Sequence, residues 1–420
     1  MRVSQRFVIA LVALAPLSTF AAAPPPNCAQ PPLCTGSTCQ TSISKGSATV
    51  PDKPCPRFGG NQDDVDIFSW NEFIAYNWPA SKTCSADLTR SIAQVKSGAN
   101  GPLVWQAQMS TDDLFVASGR PKGWCGTPTL FTSAPRSFRH IAKADPAARL
   151  LGADFAKVAE PEGPVQAGGG ILTDASGRWV RYEKLVDLTE YKYILTNNLW
   201  NKAGLAGKTV LFPSGSTEFK ASWKVLTPAE IAGGRYYTTS ATVYNTPDGS
   251  QPSPLPNPVT LGLVGLHIVH KGASGFFWST FEQVDNDKVF VDPRNPAGPN
   301  VQTAKTPYRE IDPVTKKPVD LGVNVKRLTP IPASSAVNDF YRGLLAGSVF
   351  ANYRLISTQW QFNLNTGGAP QHVANITMET YVQLKSKPDP KKPTNQPFTG
   401  CLACHGFSPW DQSFVFIEAK

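Results

Sequence analysis

The sequence predicts an α+β fold, in which one large β-rich body with scattered helices carries a short C-terminal segment. Short runs of aromatic and branched residues, separated by Gly and Pro, predict strands across most of the chain. Helical patterns lie among these strands without the regular alternation that a parallel βαβ sheet requires. The chain has 420 residues, 41% of them hydrophobic, which is enough for a large core. We predict four regions: 1–21, 22–60, 61–395 and 396–420.

The first region, residues 1–21, has the pattern of a secretory signal peptide. A basic start precedes an apolar run at 7–17, and small residues follow at 19–23. This pattern predicts cleavage after Ala21 or Ala22. No later run reaches the roughly 18 apolar residues that a membrane-spanning helix needs. We therefore expect an exported protein, periplasmic or secreted, without stable membrane insertion.

Residues 22–60 predict an extended or disulfide-stapled arm, because Pro, Ser, Thr and Cys dominate and large apolar residues are scarce. An oxidising compartment permits disulfides. Six cysteines in the first third of the chain can form three disulfides in fifteen pairings, among which the sequence does not choose. We expect them to tie the N-terminal region to itself and to the body. They are Cys28, Cys34, Cys39, Cys55, Cys84 and Cys125.

The first predicted helix of the body spans 63–76, where Asp63 or Asp64 can cap it and large apolar residues recur at helical spacing. Its aromatic face fits a plain core face, which is commoner, or the wall of a cofactor pocket. A second helix is predicted at 186–199. Short strands surround it, and the one at 217–224 alternates charged and apolar residues, as a strand with one buried face does. The predicted strands are 103–108, 177–185, 209–212, 217–224 and 236–244.

Residues 261–271 predict a central strand, because the run is apolar on both faces. His267 and His270 are three residues apart, so a regular strand points them to opposite faces. A buried histidine needs a partner, which a metal such as iron or a backbone group supplies. The remaining elements are a hairpin partner strand at 276–284, a loop at 292–326, a helix at 336–346, a strand at 352–362, a helix at 375–385 and a strand at 414–417.

The last region contains the most specific motif of the chain, C-x-x-C-H at 401–405. Two thiols at this spacing can add to the two vinyl groups of haem, and the following histidine is placed to ligate the iron. A disulfide, a zinc half-site and a redox dithiol are the alternatives. Zinc needs a second close pair of ligands, which the sequence lacks, and a redox dithiol belongs in a βαβ unit. The motif predicts one covalent haem c on Cys401 and Cys404, with His405 as the proximal iron ligand.

The motif resembles that of the c-type cytochromes. Three further segments, 265–271, 278–286 and 375–383, resemble large single-haem bacterial cytochrome c family proteins. The resemblance covers most of the chain after Asp63, and it implies haem binding and electron transfer without a substrate. In a small cytochrome c the motif lies near the N-terminus, whereas only fifteen residues follow His405 here. The distal side of the haem is therefore expected to come from upstream sequence.

Met378 and His267 are the first candidates for the distal ligand. Met378 lies on the predicted helix before the motif, so a short loop can bring it over the porphyrin, whereas His267 lies in the most apolar strand, a rigid and dry position. His372 ranks third. With both axial positions filled by protein the expected function is electron transfer. An open distal site instead predicts a peroxidase-like or oxygenase-like haem oxidoreductase, and a module that uses haem structurally is a third reading.

The net charge of +9 favours acidic partners. Nucleic acid is not expected, because the sequence lacks the basic and aromatic interleaving of a known binding module. Four lysines in the linker before the haem motif can dock an acidic redox partner, although a merely solvated linker explains them equally well. They are Lys385, Lys387, Lys391 and Lys392.

Overall fold

The computed structural model covers most of the body and the C-terminal motif. It describes residues 43–51, 62–97, 101–125, 136–137, 174, 180–242, 258–272, 275–289, 327, 329–363, 367–370, 372–379, 400–406 and 408–419. The predicted signal peptide, most of the arm, the loop at 292–326 and the lysine linker lie outside the described residues.

The α+β prediction is confirmed, because one large sheet carries helices on both faces. Its strands are β1 (Met109–Ser110), β2 (Arg136–Ser137), β3 (Arg181–Val186), β4 (Thr217–Val225), β5 (Thr238–Thr242), β6 (Val259–Lys271), β7 (Phe276–Gln283), β8 (Tyr353–Asn363) and β9 (Gly367–Ala369). Along the main path the order is β1-β3-β4-β6-β7-β8-β9, with antiparallel neighbours. Strand β5 pairs with β6 and, in parallel, with β2.

The helices are short apart from the first. They are α1 (Gln62–Tyr76), α2 (Thr111–Leu114), α3 (Leu188–Thr196), α4 (Lys202–Leu205), α5 (Pro228–Gly233), α6 (Asn286–Val289), α7 (Ser335–Leu344) and α8 (Cys401–His405). Turns of 3₁₀ helix occur at Lys45–Ala48, Ile92–Gln94, Trp105–Ala107, Val349–Asn352 and Val415–Glu418. Within the described part of the chain, none of the helices has the length and apolar character to span a membrane.

Strand β6 is central, as predicted. It pairs with β4 and β5 on one side and with β7 on the other, in the predicted hairpin. Because neighbouring side chains of a strand alternate, Leu266 and Ile268 belong to one core cluster and Val269 to the other. His270 shares the first face and His267 the second, so the prediction that the two histidines point apart is confirmed. We call these the α1 face and the α8 face, after the helix that each one carries.

On the α1 face, the aromatic side of helix α1 is a core face, the commoner of the two alternatives. Phe73 stacks on Phe281 with ring centroids 4.3 Å apart, and Trp70 stacks on Tyr341 of α7 at 5.4 Å. All four rings are buried. Burial of each such side chain stabilises the fold by about 1.5–3 kcal/mol, so this aromatic layer holds α1 and α7 on the sheet.

On the α8 face, the C-terminal residues are part of the core. Leu402 of α8 is 1% exposed and belongs to the same cluster as Trp278 of β7 and Val269. Phe416 stacks on Phe212, with their ring centroids 5.7 Å apart. The segment that carries the C-x-x-C-H motif is therefore fixed against the sheet by apolar contacts.

Two predicted strands, 103–108 and 209–212, are wrong. In the first, Leu103 makes an isolated bridge with Pro79, while Gln106 accepts from the amide of Leu103 and Gln108 donates to the carbonyl of Val104. A turn of 3₁₀ helix results. In the second, the backbone amides of residues 211 and 212 bond to the side chains of Tyr193 and Asp411 rather than to a neighbouring strand.

Two further predictions near the motif are also wrong. Residues 375–379, the described part of the predicted helix 375–385, form a turn, because the side chain of Asn375 accepts from both the amide and the hydroxyl of Thr377. Such side-chain bonds compete with helical ones. At 414–417 the amide of Val415 bonds to the hydroxyl of Ser413, which starts 3₁₀ helix in place of the expected strand.

One disulfide lies within the described residues. It joins Cys84 to Cys125, 41 residues later, inside the body. Both cysteines come from the set expected to form disulfides. The other four, Cys28, Cys34, Cys39 and Cys55, lie outside the described residues, so the expected tie between arm and body stays a prediction.

Candidate functional site

Helix α8 is the core of the candidate site. Its backbone places positions 401 and 404, the two cysteines of the motif, about one turn apart. The main-chain amide of Leu402 donates to Oε1 of Gln359 in β8, at 2.7 Å, and Nε2 of Gln359 donates to the carbonyl of Pro370. A single side chain of the sheet thus satisfies an amide at the start of α8.

Gly400 allows α8 to lie this close to the sheet. Its φ of 140° is one that side chains rarely permit. A Cβ atom at this position would lie 2.7 Å from Nε2 of Gln359. Glycine is therefore required where the chain enters the motif.

His405 at the end of α8 is held by two rings and one hydrogen bond. The ring centroids of Trp278 and Phe414 lie 4.1 Å and 4.8 Å from that of the imidazole. Nδ1 lies 2.9 Å from the main-chain oxygen of Gln412. Donation to this carbonyl assigns the proton to Nδ1 and leaves the lone pair of Nε2 available for a metal ion.

The electrostatics keep His405 neutral. Burial lowers the pKa of its imidazole to about 4, and Lys220 and His267 lower it further, whereas the hydrogen bond to Gln412 and the carboxylate of Glu379 oppose the shift. At neutral pH the ring is therefore an unprotonated imidazole, the form in which histidine binds iron.

The turn that presents the Gln412 carbonyl is anchored to the sheet. Oδ1 of Asp411 lies 3.0 Å from Nζ of Lys271 at the end of β6, and its Oδ2 accepts from the amide of Phe212 at 2.8 Å. Ser413 closes the turn through a main-chain bond to Trp410. The turn that orients His405 is thus held in place by Lys271 of β6, which lies outside helix α8.

A second polar group of residues lies near His405 on the α8 face. Nε2 of His267 is 3.2 Å from Oε1 of Glu379, and Lys220 of β4 faces His267 across the β4-β6 ladder. The other carboxylate oxygen of Glu379 accepts from the amide of Asn375. Burial disfavours the ionised carboxylate of Glu379, but His267 and Lys220 outweigh burial and hold its pKa below the usual value. His267 therefore has an anionic neighbour.

The candidate distal ligands lie in different places. His267 is close enough to His405 to lower the pKa of that imidazole. Met378 is fully buried in a separate cluster that contains Val264 and Ile376. His372 is half-buried in the segment after β9.

The residues present fit a covalently bound haem. Cys401 packs at the edge of the cluster around Leu402. His405 offers Nε2 from an oriented, neutral ring. Nε1 of Trp278, beside that ring, is buried and has no hydrogen-bond partner among the described residues. A buried indole N–H normally has an acceptor, and a polar group that arrives with a cofactor can supply one.

Sequence reasoning missed four residues of this site: Gln359, Gln412, Glu379 and Trp278. Gln359, Glu379 and Trp278 act through contacts between segments far apart in the chain, and Gln412 acts on His405 across seven residues. Trp278 and Glu379 lie in the segments 278–286 and 375–383, to which the sequence assigned no contact with a histidine. Within the part of the chain that the structure describes, no group of three or more His, Cys, Asp or Glu side chains is arranged to hold a metal ion directly. No family model, curated protein or solved structure matches this chain.

Proposed function

We propose that this protein is an exported single-haem c-type cytochrome that transfers electrons. Its haem c is attached through Cys401 and Cys404, and His405 is the proximal ligand of the iron. The observation that carries the proposal is the environment of His405, since Nδ1 donates to Gln412 and burial keeps the ring neutral. Within a C-x-x-C-H motif, this is the arrangement that iron ligation requires.

The residues of the α8 face bind, orient and shield the site. Gln359 and Leu402 hold the helix that carries the thiols, while Trp278 and Phe414 flank the imidazole. The bound haem supplies one-electron chemistry through Fe(II) and Fe(III). A rigid setting suits electron transfer, because little rearrangement accompanies the change of charge.

For the distal ligand we favour His267 over Met378 and His372. His267 lies near His405, whereas Met378 packs in the separate cluster around Val264. The contact with Glu379 orients the imidazole of His267 and provides an acceptor for its proton. A second imidazole predicts a lower reduction potential than a thioether does.

The same contact supports the alternative function. If the imidazole of His267 does not bind the iron, its contact with Glu379 makes it an acid-base group beside an open iron site. His267 then holds or passes a proton, as a peroxidase-like or oxygenase-like oxidoreductase requires. Cyanide separates the two functions, because it binds an open site readily and changes the absorption spectrum.

Export and partner are proposed from the sequence. The N-terminal pattern supports cleavage and transfer to the periplasm or medium. The net charge of +9 and the lysine linker support docking of an acidic redox protein. Screening by salt should then slow electron transfer between them, and a rate that is flat from low to high ionic strength contradicts docking.

The test of the main proposal is covalent haem attachment. The full-length chain is expressed with a c-type haem attachment system, and the mature protein is analysed by mass and absorption spectroscopy. We expect the mass of one haem, colour that survives acid-acetone extraction, and loss of both in the Cys401→Ala/Cys404→Ala variant. The Cys84→Ala/Cys125→Ala variant is the matched control and should keep its haem. A wild-type mass without haem overturns the proposal.

A further inference from the structure

A buried acidic cluster lies on the α8 face, beside the segment that carries His405. Glu190 of α3 is 0% exposed, and neither of its carboxylate oxygens has a hydrogen-bond partner among the described residues. Oε1 of Glu218 in β4 is also buried without a partner. Buried polar atoms are nearly always hydrogen-bonded, so this pair needs a functional explanation.

The other charged groups that face the pair are engaged elsewhere. Oδ1 of Asp187 accepts from the amides of Glu190 and Thr217. Asp411 accepts from Phe212 and contacts Lys271. Lys184 of β3 is a cation near the pair, and it favours the ionised form of Glu218.

Burial and mutual repulsion therefore disfavour the ionised carboxylates of Glu190 and Glu218. Burial raises the pKa of Glu190 well above its ordinary value, and Glu218, Asp187 and Asp411 add to the effect. Burial also raises the pKa of Glu218 to about 7, although Ser413 and Lys184 oppose it. Two carboxyls that influence each other in this way titrate as a pair.

The pair is connected to the proximal ligand by a short path. Glu218 bonds to the hydroxyl of Ser413, and Ser413 directly follows Gln412, whose carbonyl accepts from His405. Two adjacent residues, Gln412 and Ser413, thus contact the imidazole and the carboxyl pair respectively. A change of charge at the site of His405 therefore acts on the pair through few intervening atoms. Charges interact more strongly in a protein interior than in water.

We propose that Glu190 and Glu218 form a proton-uptake pair that couples a proton to electron transfer. The inference rests on the function proposed above. An electron delivered by the redox partner reduces the positive charge near the pair, and the pair then takes up a proton from water. When the electron leaves for an acceptor, the same proton returns to water. Charge is balanced in both directions.

The pH dependence of the midpoint potential tests this pair in the full-length holoprotein. Because reduction binds a proton, the wild-type potential should fall as pH rises from about 5 to 8, by up to about 59 mV per pH unit. Glu190→Gln and Glu218→Gln imitate the protonated acids and should each reduce the slope by at least half. Asp339→Asn, which changes a 74% exposed carboxyl on α7, should leave it unchanged. Equal slopes in the wild type and both glutamine variants overturn the proposal.

An infrared difference spectrum gives an independent readout. The reduced-minus-oxidised spectrum of the wild type should show the gain of a protonated carboxyl group, and this gain should be absent from whichever glutamine variant folds. Haem attachment with a potential that does not depend on pH contradicts only the proton-uptake pair. A chain that binds no haem contradicts the proposed cytochrome function as well, so the two failures are distinguishable.

Discussion

Nδ1 of His405 donates to the main-chain oxygen of Gln412, seven residues later in the chain. The carbonyl is presented by a turn in which Asp411 and Gln412 have φ values of 51° and 65°. Left-handed backbone costs a residue with a side chain about 1–2 kcal/mol. The contacts of Asp411 with Phe212 and Lys271 offset this cost. The orientation of the proposed iron ligand therefore depends on a strained turn that the sheet stabilises.

The Gln412→Gly variant should be more stable than the wild type. Glycine adopts positive φ without steric cost and keeps the carbonyl that His405 needs, so we expect a gain of about 0.5–1 kcal/mol in the free energy of unfolding. Denaturant titration of the holoprotein measures it, and the absorption spectrum should not change. A loss of stability would contradict this expectation, because it would show that the contacts of the Gln412 side chain stabilise the fold by more than its left-handed backbone costs.

The Asp411→Ala variant should have the opposite effect. It leaves the amide of Phe212 without its acceptor and removes the anion beside Lys271, which costs about 1–3 kcal/mol. We also expect a shifted haem spectrum, because the Gln412 carbonyl loses its support. The control is Asp339→Ala on α7, an exposed position. Identical spectra for Asp411→Ala and the wild type contradict the role assigned to this turn.

Gln359 should control how firmly α8 is held. Gln359→Ala removes the acceptor of the Leu402 amide and the donor to Pro370, so we expect a loss of about 1–3 kcal/mol. Hydrogen exchange at the amide of Leu402 measures the local effect and should accelerate. Equal exchange in the alanine variant and the wild type rules the anchor out.

Much of the fold could be predicted because its main elements have strong local signals. Helix α1 shows apolar spacing of three and four residues, and strand β6 is apolar on both faces, so each was placed within a few residues. The failures at 103–108 and 375–379 have one cause. Gln106, Gln108 and Asn375 bond to nearby backbone groups, and such local polar contacts leave no periodic pattern in a sequence.

The residues of the candidate site also fall into two groups, those with a local sequence signal and those without one. Cys401, Cys404 and His405 could be named from spacing alone, because the chemistry of the motif is local. Gln359 and Gln412 could not, since each acts through one contact that exists only after folding. A lone glutamine is usually a solvated residue, and the sequence contains no signal that distinguishes these two from others.

On the α1 face, Glu72 and His270 form a fully buried pair whose disruption should be costly. Oε1 of Glu72 lies 2.9 Å from Nδ1 of His270, and the two residues are 0% and 2% exposed. Glu72→Ala should destabilise the fold by about 3–5 kcal/mol, because it removes one partner of a buried pair. The Glu72→Ala/His270→Ala double variant should lose less than the sum of the two single variants. Additive losses in denaturant titrations contradict a coupled pair.

Asp66 of α1 should make stability fall as pH rises. Burial raises the pKa of its carboxyl from 3.8 to about 7, although bonds from Gln62 and Thr358 oppose the shift and Asp63 adds slightly to it. Between these two values the folded state binds more protons than the unfolded state. Stability is therefore lost as pH rises through the folded-state pKa, by about 2–3 kcal/mol between about pH 5 and pH 8.

Asp66→Asn isolates this effect from the other titrating groups. The amide keeps the acceptor Oδ1, which bonds to Gln62 and to the amide of Thr358, and it carries no charge at any pH. From about pH 5 to pH 8, the unfolding free energy of the wild type should thus fall by about 2–3 kcal/mol relative to that of Asp66→Asn. Asp339→Asn, the exposed control, should show no such shift. If the difference for Asp66→Asn is the same at both pH values, the carboxyl stays in one protonation state and the assigned pKa is wrong.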